Sequence, residues 1–300
     1  MFRILSKESN IFSIPVYIIF LLIAIIGLNT LNYNTLNPLP SIVLFLGVAL
    51  GYFVFGQINL TYKTHLPLFL YTFFIFAFYS NRIDLGISVS LLTNSFLLMI
   101  LTSPVEHIRK KSYLLVGSTL VINYLFLPTA FPMLVFVILH IVSTSQKIPL
   151  NLIRLFLGIG IIFFAYFCIM YFLGYSSFDE TYLPYQIGSL RSDFYPLYLL
   201  TPIFVMMVYA ILDHFSHYNE KSPESRFKYT FLLVFMATQL ISIIFYMEDN
   251  YQYLLLLAFP VSIILSRMLR FFPKYWMQET GLWLIAIVLV IFKLGRNFQF

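Results

Sequence analysis

The stretch Leu150–Gly174, LNLIRLFLGIGIIFFAYFCIMYFLG, decides the fold class. Apart from Asn151 and Arg154 near its start it is apolar or aromatic. A run of this length crosses the roughly 30 Å hydrocarbon core of a bilayer as an α-helix. A barrel strand would instead alternate apolar and polar residues over about ten positions, and no such alternation is present. The rest of the chain has the same character: 60% of its residues are hydrophobic and 10% charged, with a mean hydropathy of +0.89. Soluble domains carry about 25% charged residues, so this chain has too little polar surface to cover a water-soluble globule. It reads as an all-α, polytopic membrane helical bundle. No internal repeat, low-complexity tract or linker divides it, and residues 1–300 form a single integral membrane domain.

Ten further apolar runs accompany the first, at about Ile11–Leu28, Ser41–Ile58, Leu66–Tyr79, Leu85–Thr102, Tyr113–Leu127, Phe131–Ser143, Leu197–Leu212, Tyr229–Met247, Tyr251–Met268 and Gly281–Leu294. About eleven transmembrane helices are expected, and a count of ten or twelve follows if one of the short segments is misjudged. The opening MFRILSKESN is short and basic and no small-residue cleavage pattern follows Ile11–Leu28, so this run reads as a retained span. With the N-terminus cytoplasmic, fourteen of the eighteen Lys and Arg residues fall in inner loops. Arg82 and Arg191 are the two in outer loops, and Lys293 and Arg296 lie in the tail. That bias is the positive-inside pattern, and it places the chain in a bacterial inner membrane. The tail is its exception, so the last segment is either re-entrant or the span count is even. The net charge of +6 is spread over six inner loops. It reads as topology and lipid-headgroup contact, with no nucleic-acid footprint. The inner stretch His214–Lys228 reads as a polar, mobile connection.

Six acids lie on the opposite, outer face: Asp84, Asp179, Glu180, Asp193, Glu248 and Asp249. The longest polar interruption there follows the opening helix directly: Tyr175–Tyr195, YSSFDETYLPYQIGSLRSDFY. Asp179 and Glu180 are adjacent carboxylates, able to act as general base or to hold a divalent cation against a diphosphate. Arg191 suits phosphate, and Tyr182, Tyr185 and Asp193 suit a sugar or headgroup. The plain alternative is an interfacial loop whose Tyr side chains belong to the aromatic belt. Glu248, Asp249 and Asn250 form a second outer cluster in a very short connection. Acids so close to hydrocarbon suggest a cavity, although a tight turn also needs polar residues. Asp179, Glu180, Glu248 and Asp249 are the catalytic candidates, with Arg191, Asp193, Tyr182, Tyr185 and Asn250 binding substrate.

Other groups read more simply. Arg82 and Asp84 suit a surface pair. His214 and His217 sit one helical turn apart beside Asp213, but without a third ligand they suit a helix terminus better than a metal. His140 lies inside a span, as a functional group or as a neutral imidazole bonded to a neighbouring helix. Cys168, the one cysteine, reads as a small buried hydrophobe. P-loop, GxSxG, HExxH and dinucleotide fingerprints are absent, as are an Arg-rich voltage-sensor helix and a filter-like sequence.

Two segments resemble the GT-C-type superfamily of membrane glycosyltransferases, which take sugars from polyprenyl-phosphate donors. His107–Ser143, HIRKKSYLLVGSTLVINYLFLPTAFPMLVFVILHIVS, is similar to that superfamily's basic loop, Gly-containing helix, Pro-Thr break and returning helix, with Leu127 in place of a basic residue. Tyr251–Leu269, YQYLLLLAFPVSIILSRML, resembles its late Leu-rich, Pro-containing helix, with Asn250 or Gln252 in place of Arg. The resemblance implies transfer or polymerisation of lipid-linked sugars on the outer face, with a polyprenyl-phosphate-linked sugar and membrane lipids as partners and no cofactor beyond a divalent cation. It also places the catalytic carboxylate in the first outer loop, which is GLNTLNYNTLNPLP here and holds no acid. Either the role has moved to Phe178-Asp179-Glu180-Thr181-Tyr182, or the chain is a non-catalytic integral subunit or assembly factor with membrane-protein partners. The layout is also similar to an uncharacterised family of bacterial inner-membrane proteins. A transporter or lipid flippase is a third reading, drawing on the span count and His140.

Overall fold

The computed structural model describes residues 2–7, 13–30, 38–58, 60, 64–79, 83–103, 112–176, 182, 195 and 197–298, with the side chains of 24–30 and 296–298 outside that description. Regular structure among them is helical, with no β-strand: α1 (Phe2–Leu5), α2 (Ser13–Thr30), α3 (Pro38–Ile58), α4 (His65–Phe78), α5 (Leu85–Leu101), α6 (Tyr113–Phe126), α7 (Pro132–Thr144), α8 (Ile148–Leu173), α9 (Thr201–Ser216), α10 (Pro223–Tyr246), α11 (Leu255–Phe271) and α12 (Tyr275–Phe298). Each apolar run read from the sequence overlaps one of α2 to α12. Six stretches, however, are long and apolar enough to cross a membrane: Pro38–Ile58, Ile148–Leu173, Leu197–Ser216, Pro223–Tyr246, Tyr251–Phe271 and Tyr275–Gly295. The expected count of about eleven spans is therefore not met among the described residues. Length is the reason. Helices α4 and α6 have 14 residues each, and at 1.5 Å per residue that is about 21 Å, well short of a hydrocarbon core of about 30 Å.

Two boundaries move for local reasons. Helix α10 begins at Pro223, not Tyr229, because Ser222 caps it by accepting from the Ser225 N–H at 3.4 Å, Pro occupies the first turn, and Glu224 faces the positive helix end. The supposed mobile stretch His214–Lys228 is thus the end of α9, a 3₁₀ turn at Tyr218–Glu220 and the start of α10. Helix α12 begins at Tyr275, not Gly281, and runs 24 residues. It starts beside Phe2, whose N–H donates to Glu279 at 2.8 Å, and ends where the Lys293 ammonium donates to the Tyr79 carbonyl and lies 5.6 Å from the Phe76 ring. The last segment is therefore a helix that runs from one end of the bundle to the other.

Helix α11 is the centre of the bundle. In its apolar stretch 83% of residues are buried, against 11% in that of α8, so α11 is core and α8 is periphery. It packs on α4, α5, α9, α10 and α12. Phe259 from α11 stacks 4.7 Å from Phe55 and 5.9 Å from Tyr71, and the Tyr52 and Thr72 hydroxyls bond at 2.5 Å beneath them. Helix α8 touches α6 through two glycines. A Cβ on Gly117 would collide with the Leu155 carbonyl, and one on Gly158 with the Leu114 carbonyl, the close backbone approach that small residues allow between membrane helices. Most of the remaining surface of α8 is bare apolar side chain, with Phe164 71% and Phe172 84% exposed, which only lipid or another protein can cover favourably.

The helices alternate between two ends. One end gathers Asp84, Thr129, Tyr195, Asn250 and Lys293, and the other gathers Phe2, Lys221, Ser225, Arg267 and Glu279. These are the acidic and basic ends that the charge pattern anticipates.

Candidate functional site

At the acidic end the structure locates part of the expected site. Asp179, Glu180, Tyr185, Arg191 and Asp193 lie outside the described residues, as does Arg82. Tyr182 is tied to helices α6 and α8, its carbonyl accepting from the Tyr124 hydroxyl and its own hydroxyl from that of Tyr166 at 3.0 Å. Glu248 and Asp249 are exposed on the turn after α10, and Glu248 has a left-handed backbone, φ 42°. Asn250 turns its side chain inward, where its Oδ1 accepts from the Gln252 N–H at 3.2 Å and caps a 3₁₀ turn. Asp84 is the N-cap of α5 and accepts from the Gly86 N–H at 3.1 Å. Its own N–H donates to the buried Gln252 Oε1 at 2.8 Å. Thr129 and Tyr253 share a hydrogen bond at 3.0 Å, Ser242 donates to the Thr129 carbonyl at 2.8 Å, and the Tyr251 hydroxyl donates to the Tyr195 carbonyl at 2.9 Å. The polar groups of this end thus join one helix to another.

The basic end is built differently. The last turn of α9 carries Asp213, His214 and, just beyond it, His217; α10 brings Tyr229, and α11 brings Arg267. His214 is 1% exposed, its ring stacked 3.8 Å from the Tyr229 ring at an interplanar angle of 17°. Lys221 closes over it, its ammonium donating to His214 Nδ1 at 3.2 Å and to the His214 carbonyl at 3.3 Å. Because an ammonium only donates, Nδ1 is the acceptor and the ring hydrogen sits on Nε2. That Nε2 is buried and meets no acceptor.

Arg267, 8% exposed, lies 5.3 Å from the Tyr229 ring and donates through one guanidinium nitrogen to Ser225 at 3.0 Å, while its Nη1 is also buried without an acceptor. Each such orphan donor costs about 1–3 kcal/mol. Burial, and then the positive charge of Arg267, push the Lys221 pKa below the ordinary lysine value against the opposing pull of Asp213 and Glu220.

His214, Lys221 and Arg267 line a cavity of about 360 Å³ together with Asp213, Glu220 and Tyr229. A second cavity of about 360 Å³ shares Lys221 and Arg267 and is completed by Ser222, Ser225 and Lys228. His214 and His217 both stand at the C-terminal end of α9, as their spacing suggests, and do not pair. His217 is exposed and turned to Asp213, 3.2 Å from its carboxylate. Among the described residues no group of three His, Cys, Asp or Glu side chains is placed to hold a metal. Buried donors without acceptors suit an anion, not a cation.

His140 packs its ring 5.2 Å from Phe231 and 6.3 Å from Phe227, inside an apolar surround. Cys168 is half-buried rather than buried. Sequence reasoning counted Arg267 as an inner-loop charge, although it falls inside the run Tyr251–Met268, where an ionisable residue is by default a functional signal.

No curated protein sequence and no solved structure matches the chain. A family model described as a family of unknown function (DUF6427) matches residues 1–298, nearly the whole chain, and the chain belongs to that family.

Proposed function

We propose that the chain is a multi-pass protein of the bacterial inner membrane, with its N-terminus and basic end on the cytoplasmic side, serving as a non-catalytic integral subunit or assembly factor of a cell-envelope complex. One observation carries this reading. Glu248 and Asp249, the catalytic candidates that can be placed, are exposed on a turn, and the polar groups beside them are engaged in holding helices together. A catalytic carboxylate works best desolvated, and these two are open to solvent. The bare apolar face of α8 adds a surface that a membrane partner can cover.

A second reading, transfer of sugars from a polyprenyl-phosphate donor at the acidic end, draws on a different observation. The Asp84 and Glu248 carboxylates are both within electrostatic reach of the Tyr253 hydroxyl, and Glu248 holds a strained backbone of the kind that clusters at working sites.

The two readings separate in one experiment. Asp179, Glu180, Glu248 and Asp249 are changed singly to Ala in the native host, and envelope glycan and the abundance of other membrane proteins are measured. The subunit reading expects intact glycan in all four strains and, on deletion of the whole chain, loss of a specific membrane partner. Loss of glycan in any of the four strains with normal levels of the variant protein would overturn it in favour of transfer.

A further inference from the structure

The basic-end cavity is a built site that neither reading above uses. Two buried donors in its wall, the His214 Nε2–H and Arg267 Nη1, have no acceptor, and the partly buried Lys221 ammonium stands beside them. A buried donor set of this kind is stable only if something delivers acceptors to it. The carboxylates that line the cavity do not. Asp213 has a side chain 41% exposed and is engaged by His217 at 3.2 Å, and Glu220 stands exposed at the rim. Asp213 and Glu220 act on the Lys221 charge through space, but neither supplies an acceptor to the two orphan donors.

We propose that this cavity binds the phosphate group of an anionic ligand. A tetrahedral phosphate offers several acceptor oxygens at once, so an Arg fork, an ammonium and an imidazole N–H approaching from different helices can each take one. At about 360 Å³ the cavity is large enough for a phosphate and its substituent. The adjoining cavity lies against the N-terminus of α10, where Ser222 and Ser225 sit. The positive end of the α10 dipole faces this cavity, and Glu224, the carboxylate in its wall, is held by Lys228 at 2.7 Å.

Two sources share this chemistry, a lipid headgroup and a soluble phosphate. Phe271, 64% exposed, lines both cavities, so an acyl chain has apolar surface to lie along. The proposal needs the basic end to sit at headgroup level, and it holds whether or not the chain is a subunit or a transferase.

The test uses the purified full-length chain in phosphate-free detergent. Native mass spectrometry measures its retention of phosphatidic acid and of phosphatidylcholine, and inorganic phosphate is then added as competitor. Preferential retention of phosphatidic acid is expected, with Arg267→Gln and Lys221→Gln each lowering it about tenfold, the effect of one charge-assisted hydrogen bond. Retention that millimolar inorganic phosphate does not displace supports the lipid source; displacement supports a soluble one. Lys221 is only partly buried, so its variant carries the test if Arg267→Gln does not fold. Equal retention of the two lipids by the wild-type chain, or unchanged retention in Lys221→Gln, would overturn the proposal. Neither outcome bears on the presence of a protein partner.

Discussion

The two ends of this bundle contain similar amounts of polar chemistry and use it in opposite ways. At the acidic end donors meet acceptors across helices: Asp84 N–H with Gln252, Tyr253 with Thr129, Ser242 with the Thr129 carbonyl and Lys293 with the Tyr79 carbonyl. At the basic end His214, Arg267 and Lys221 converge as donors with no matching acceptor for His214 Nε2 and Arg267 Nη1. A closed polar network stabilises a fold on its own, whereas an open one sacrifices stability for a ligand. The formal charge pattern points the other way, since it is the acidic end that looks like a site in the sequence.

The comparison can be broken from either side. The largest effect is expected from Gln252→Ala, which removes the acceptor for the Asp84 N–H in a part-buried bond and should destabilise the protein by about 1.5 kcal/mol. Thermal unfolding in detergent would show a clear drop, and an unchanged midpoint would mean that this end is not held by its hydrogen bonds. His214→Phe does the reverse at the basic end. It keeps an aromatic ring against Tyr229 and deletes an orphan donor, so without ligand the midpoint should hold steady or rise by the equivalent of up to about 1 kcal/mol. With phosphatidic acid present the same variant should gain less than the wild type. A loss of stability comparable to that of Gln252→Ala would mean that His214 is a structural group like the rest. The smallest effect belongs to Glu248→Gly, which relieves the left-handed backbone at φ 42° and should stabilise by about 1 kcal/mol or less. If envelope glycan falls in that strain, the strain at Glu248 has a working role.

The helices and their alternation were legible because both depend on sums over many residues. An apolar run such as Leu150–Gly174 is helical whatever its neighbours do, and the distribution of Lys and Arg names the end at which each helix stops. The shortness of α4 and α6 was itself legible, since the runs Leu66–Tyr79 and Tyr113–Leu127 stop where these helices are capped; the excess in the count came from taking runs of that length as full spans. The start of α10 was readable in Ser222-Pro223-Glu224, but the polar composition around it suggested a loop.

The basic-end site was hidden for a tertiary reason. Nothing in the run of residues around His214 says that Tyr229 will cover its ring, or that Arg267 from α11 will reach Ser225 on α10. The HxxH spacing suited a helix terminus, where both residues stand, but only the geometry separates the two imidazoles and gives one of them a cationic neighbour. At the acidic end, conversely, Glu248-Asp249-Asn250 read as a cluster, and only the fold shows Asn250 spent on a backbone cap.

The most direct measurement of the contrast between the ends is the thermal midpoint of purified wild-type chain and of Arg267→Gln, each with and without phosphatidic acid. A ligand that binds only the folded state raises the midpoint. The account predicts a clear rise for the wild-type chain and a markedly smaller one for Arg267→Gln. An equal rise in both would contradict it.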